Sequence, residues 1–127
     1  LSIYAGLKTA IGANVAGYSG KAFPLVAPEG TALPYATYQQ IGTNRLQTLS
    51  GYTGGLFTDY QFNFYSNTYV AAVTAADAWV EYIKNFTGTL GDEFVQSVSV
   101  LNTFEDMDYV GSIARYRVIV ECRFYYV

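Results

Sequence analysis

A chain of 127 residues is long enough to bury a core without staples, yet only 13% of these residues are charged, while 51% are hydrophobic and 17% aromatic. Average soluble domains carry about 25% charged residues, so this one must expose uncharged apolar and tyrosine surface of the kind found at interfaces, and an obligate oligomer or part of a larger assembly is expected. The net charge of −3, with Lys8, Lys21, Arg45, Lys84, Arg115, Arg117 and Arg123 scattered along the chain, excludes a basic footprint for gripping nucleic acid.

In chain order, Tyr4, Leu7, Ile11 and Val15, with Ile3 alongside, form one apolar stripe at helical spacing, which predicts a helix over residues 2–16 ending near Gly17. All three prolines follow, at Pro24, Pro28 and Pro34. Each fixes its own φ and biases the residue before it (Phe23, Ala27, Leu33) away from helix, so residues 23–35 read as a largely extended arm. An apolar arm with few charges needs a surface to lie on, in its own domain or on a neighbour. Residues 35–43 read as a β-branched and aromatic strand, and 44–55, with Gly51, Gly54 and Gly55, as a polar loop. The clearest strand is 57–66, where Thr58, Tyr60, Phe62 and Phe64 share one face and Asp59, Gln61 and Asn63 the other. Ser66, Asn67 and Thr68 are suitable N-caps for a second amphipathic helix. Its stripe is Val73, Ala76, Val80 and Ile83, with Trp79 at its edge and Gly88 just past its end. A strand over 93–104, a loop at 105–108 that leads on through Val110, and a last strand over 112–126 complete the chain. In that last strand Ala114, Tyr116, Val118, Val120, Cys122 and Phe124 share a core face. The other face mixes Arg115, Arg117, Glu121 and Arg123 with Ile113, Ile119 and Tyr125, too apolar for open solvent and too charged for a core.

These elements predict a single α+β domain over residues 1–127. Two amphipathic helices would pack on one face of a four-stranded, mostly antiparallel sheet, with the extended proline-containing arm attached. Catalytic chemistry finds no support: there is no histidine, the commonest general base, and the lone Cys122 sits mid-strand on the core face, where a structural thiol is expected. One cysteine also excludes an internal disulfide and fits a reducing compartment of synthesis. Glu105, Asp106 and Asp108, with Asp92 and Glu93 as a smaller group, lack the spacing of a calcium loop, so a solvated hairpin tip or rim contact is expected and no metal. Gly51-Tyr52-Thr53-Gly54-Gly55 precedes a strand and lacks the lysine of a phosphate loop, and Asn85-Phe86-Thr87 matches a glycosylation acceptor in pattern only. Tyrosines that could stack bases lack a basic groove beside them. No cofactor is expected. No run approaches the roughly 18 apolar residues of a membrane span, and Leu1-Ser2-Ile3-Tyr4 lacks the basic region of a secretory signal.

The arm Phe23-Pro24-Leu25-Val26-Ala27-Pro28-Glu29-Gly30-Thr31-Ala32-Leu33-Pro34-Tyr35 carries a resemblance. With a short first helix before it, it is similar to the opening of the tail-completion, or tail-terminator, proteins of long-tailed bacteriophages, where Pro-x-x-Ala-Pro-x-Gly-Thr-x-x-Pro-Tyr leads into the first strand. The polar glycine loop, the aromatic strand running into an alanine-rich helix, and a final strand with Arg115, Arg117, Cys122, Phe124 and Tyr126 extend the resemblance over the whole chain. It implies a non-enzymatic virion subunit, made in the host bacterial cytoplasm, that closes into a hexameric ring at the head-tail interface. Such a ring sits on the tail tube protein, stops tube polymerisation and presents a surface to the head connector or stopper protein. DNA passes through its lumen without specific binding. The face pattern of the last strand and the low charge place the expected subunit contact at Arg115, Arg117, Ile119, Glu121 and Arg123. Pro24, Pro28, Glu29 and Pro34 would pack on a neighbour or partner, and Arg45, Tyr52, Glu105, Asp106 and Asp108 would make axial loop contacts. A tube or connector subunit is the nearest alternative. A small-ligand binding domain with a pocket lined by Tyr60, Phe62, Phe64 and Trp79 is a more distant one.

Overall fold

The computed structural model describes residues 3–48, 51–91 and 93–126, and, within these, the backbone but not the side chains of residues 4, 5 and 43–56. Helix α1 spans Tyr4–Asn14 and α2 spans Tyr69–Ile83. The strands are β1 Ala22–Pro24, β2 Tyr35–Thr48, β3 Gly51–Ser66, β4 Gly88–Leu90, β5 Glu93–Val110 and β6 Ile113–Tyr126.

The expected four-stranded sheet is a six-stranded mixed one, in the order β1-β2-β3-β6-β5-β4. β1 runs parallel to β2 and every other pair is antiparallel. The two added strands are three residues each, too short for alternation to register in the sequence. The parallel pair needs a crossover, which residues 25–34 supply. That segment is turned more than extended: Val26 donates its backbone N–H to Pro24 and Thr31 to Pro28, and Gly30 takes φ 82° in the turn. The Leu33–Pro34 peptide is cis.

Both helices lie on one face of the sheet. Its opposite edge strands, β1 and β4, both contact α1, so the sheet curls around the helices. Gly6 permits this closure: a Cβ there would stand 2.3 Å from the backbone nitrogen of Gly91. From α1 the core receives Ile3, Leu7, Ala10, Ile11 and Val15. The buried face of α2 is Ala72, Ala75, Ala76, Trp79 and Ile83, with Val73 and Val80 partly buried at its flanks. Trp79 is therefore central, not at the edge of the stripe, and its ring packs 4.9 Å from that of Phe62. Thr68 caps the helix, its side chain accepting from the Ala71 N–H at 3.3 Å. Gly88 opens β4 instead of closing α2, whose C-cap is Lys84.

On β6 the alternation holds: Val118, Val120, Cys122 and Phe124 are buried beneath α2, beside Tyr60, Phe62 and Phe64 of β3. The two expected loops are strands. Residues 44–48 and 51–55 belong to the ends of β2 and β3, paired from Asn44 with Phe57 out to Thr48 with Gly51, and residues 105–110 belong to β5, paired out to Val110 with Ile113. Residues 105–110 are all exposed, so they cover no core and their sequence carries no burial period.

Candidate assembly face

The sheet face turned away from the helices is built from odd-numbered positions of β3 and β6 and their partners on β2 and β5. Cross-strand registers Tyr35–Tyr65–Arg117–Asp106, Thr37–Asn63–Ile119–Phe104 and Gln39–Gln61–Glu121–Asn102 lay out its rows. Polar groups on it pair with one another. Asn63 Nδ2 donates to Thr37 Oγ1 at 3.1 Å, Gln61 Nε2 to Asn63 Oδ1 at 3.1 Å, and Asn102 Nδ2 to Glu121 Oε1 at 3.2 Å. Such mutual satisfaction lets Asn63 and Thr37 be buried without the cost of an unmade hydrogen bond.

The three arginines of β6 are each engaged in a two-pronged pair with a carboxylate on an adjacent strand. Arg115 Nε and Nη2 donate to Asp108, with Nε–Oδ1 at 2.8 Å, and Arg123 donates to Asp59 at 2.7 and 3.0 Å. Arg117 Nε donates to Asp106 Oδ1 at 2.8 Å and its Nη2 to Oδ2. Arg115 also donates from Nη1 to the Tyr35 hydroxyl at 2.8 Å and lies 4.8 Å from the Tyr65 ring centre, while Arg123 lies 4.3 Å from the Phe57 ring. Planar guanidinium groups suit both contacts at once. Hydrogen bonds from Arg117 and Arg115 hold the Asp106 and Asp108 carboxyls below the usual carboxylate range.

The crossover segment lies over one end of this face and leaves a groove of about 670 Å³. Residues 25–33 form one wall, Val110, Ile113 and Arg115 the other, and Tyr35, Thr37 and Tyr65 the floor. Its rim is apolar and open to solvent, with Leu25 70% and Val26 74% exposed on one side, Val110 53% and Ile113 58% on the other. Leu25 is held at φ 66°, a strained conformation for a leucine, as it leaves β1. Lys21 Nζ donates to the Ala32 carbonyl at 3.0 Å and ties the segment back to the strand.

Two groups of residues that the sequence assigned separately thus meet in one groove: the arm, with Pro28 and Glu29, and the start of the last strand at Arg115. Pro24 ends β1, and Pro34 stands directly before β2. Ile119 lies on the same face but is 3% exposed, so it is enclosed by its own sheet and offers a partner almost no surface. Glu105, Asp106 and Asp108 do not act together. Glu105 points to the helix side, where both its oxygens accept from Tyr69 Oη at 2.9 and 3.0 Å, while Asp106 and Asp108 pair with arginines on the other face. None of the three is in a loop. Arg45 and Tyr52 fall on the β2 and β3 extensions, not in a loop, and their side chains lie outside the described residues. Ile113, expected on the half-apolar outer face of the last strand, lies at the groove rim with Val110, and these two apolar residues flank the Gly111-Ser112 turn.

Tyr60, Phe62, Phe64 and Trp79 do not line a pocket. They pack together in the core at 2% exposure or less, and Tyr60 and Phe62 also meet Phe124 at 5.7 and 6.2 Å. Cys122 is buried, and burial pushes its thiol up to about 12. Among the described residues, no group of three acidic, histidine or cysteine side chains is placed to hold a metal ion, and no helix is long and apolar enough to cross a membrane.

The fold is shared with a chain in the structure titled "Virion of native gene transfer agent (GTA) particle", at TM-score 0.65 and 14% identity over 98% of this chain and 92% of that one. No curated protein matches the sequence. Among protein families, Tail completion protein gp17 matches over residues 2–127. The chain belongs to that tail completion family, whose members are structural tail components and not enzymes.

Proposed function

We propose that this tail completion protein is a ring-forming terminator, which caps the head-proximal end of the tail tube, stops its polymerisation and joins the tail to the head connector. The observation that carries the proposal is the face away from the helices, with its groove and exposed apolar rim of Leu25, Val26, Val110 and Ile113. In a chain with 13% charged residues, that surface suits contact with other subunits or with the tube. A heterologous contact repeated about an axis closes into a ring when its rotation divides the circle, a hexamer in this reading. One side of the ring then covers the terminal disc of the tube and removes the surface on which the next disc would add.

The pairing of Arg115, Arg117 and Arg123 with carboxylates supports a lumen that DNA passes without being held, because these cations are already neutralised and few counterions would be released from a duplex. No duplex affinity is expected near physiological salt, and sub-micromolar binding in an anisotropy titration would contradict that. The central test is solution mass by light scattering, over a concentration series, with and without isolated tail tubes. A hexamer, or a monomer that forms one ring at tube ends, supports the terminator. Open-ended stacking would make the protein a tube subunit, and a stable monomer that ignores tubes would sink the assembly reading. Arg117→Glu should leave the fold intact and disrupt ring formation, since it sets a third carboxylate beside Asp106 and Asp108 on the assembly face.

A further inference from the structure

Two long stretches of strand edge have no strand beside them among the described residues. At one side of the sheet β1 covers β2 only at residues 36–38, leaving 41–48. At the other side β4 covers β5 only at residues 93–95, leaving 97–110. Every position from 101 to 110 is exposed. Soluble proteins guard such edges with lysines, prolines, brevity or covering loops, because unpaired backbone donors and acceptors recruit other strands. Residues 97–110 contain no lysine or proline, and only the register shift between Val100 and Asn102 interrupts them. Their acidic side chains do not guard the edge either: Asp106 and Asp108 are turned to Arg117 and Arg115, and Glu105 to Tyr69.

From these edges we infer that the lateral contact between copies of this chain is made strand to strand, with the open edge of β5 adding antiparallel to the open edge of β2 of the next copy. This deepens the ring reading and rests on it. The occupant is a second copy because the chain itself carries the complementary edge. β2 and β5 run in opposite directions in the sheet, so placing β2 of one copy beside β5 of another continues the antiparallel alternation without a break. Each edge is open at the C-terminal end of its strand, β5 toward the β5–β6 turn and β2 toward the β2–β3 turn. Because the two strands run in opposite directions, these open parts lie at opposite ends of the sheet. Paired copies are therefore staggered along the strand direction. In a closed barrel-like ring, strand tilt supplies such a stagger. β6 is an interior strand, flanked by β3 and β5, so Arg117 bears on this lateral contact only through Asp106 of β5, which it pairs with across the strands.

The test uses the full chain. Ile41→Cys and Thr103→Cys are made separately, mixed, assembled and treated with a short bismaleimide; the native Cys122 is buried and stays silent. Covalent dimer should exceed that from either variant alone by about tenfold or more, since adjacency raises the effective thiol concentration. Beside this, Thr103→Pro and Phe104→Pro are compared. Neighbouring residues on an edge strand direct their N–H groups alternately to β6 and outward, so one of the two prolines should keep the monomer's circular dichroism and melting while abolishing the ring. Rings that form normally with no mixed cross-link overturn the inference and leave the ring reading standing. A cross-link as strong within Thr103→Cys alone assigns β5 to β5 pairing and also overturns it. A wild-type chain that forms no ring in solution or on tubes overturns both.

Discussion

The two faces of β6 solve the same problem by different means. Tyr116, Val118, Val120, Cys122, Phe124 and Tyr126 turn to the helices and are held by apolar burial and ring contacts. Arg115, Arg117, Glu121 and Arg123, one position away in each case, turn outward and are held by carboxylates and amides of the adjacent strands. Apolar burial has no directional demand and tolerates neither cavities nor voids. The outward face is a set of local pairs, each exposed to water and salt, that keep long side chains flat and in register without adding much stability. The helix side therefore determines whether the chain folds. The other determines which surface the folded chain offers.

Substitutions on each face should separate accordingly. The largest effect is expected at Phe62, fully buried against Trp79, Tyr38 and Phe124, where Phe62→Ala should cost about 3–5 kcal/mol in urea denaturation. A loss below about 1 kcal/mol there would break the contrast between the faces. Gly6→Ala comes next, at about 1–3 kcal/mol, because its Cβ would press on the backbone of Leu90 and Gly91, which cannot rotate away as a side chain could. Asp106→Asn should cost less than about 1 kcal/mol at neutral pH, as expected for an exposed pair. The sign of its pH dependence follows from the depressed carboxyl. The contribution of Asp106 is complete above the unfolded carboxylate pKa of about 4 and is lost as pH falls through the lower folded value, so wild type and variant should converge in melting temperature only in acid. The smallest effect is a null one. Cys122 should fail to react with a disulfide reagent at pH 8 until denaturant is added, and fast labelling of the native chain would show that the core face opens.

What the sequence made legible follows the same division. β3, α2 and the core face of β6 could be read because burial on one side imposes a period of two or 3.6 on residue type. Residues 44–55 and 105–110 read as loops because neither carries such a period, and 105–110 are exposed on both sides of their strand. A different signal was present there. Asp106 and Asp108 stand at the same distances from the Gly111-Ser112 turn as Arg117 and Arg115, the mirrored spacing that antiparallel pairing requires. The strands β1 and β4 had no comparable signal, since three residues cannot display a period. The groove was half legible: the prolines marked its arm, but that the arm returns over Tyr35 and Tyr65 depends on the parallel β1–β2 pair, which no local pattern announces.

Trp79 is the chain's one tryptophan, and it sits at the centre of the helix-covered core, remote from the groove and from both strand edges. Its fluorescence is in consequence a private reporter of the monomer's interior. Emission should stay blue and unchanged while subunits join and shift red only when α2 leaves the sheet, so assembly and unfolding can be followed in the same cuvette as two separate optical events.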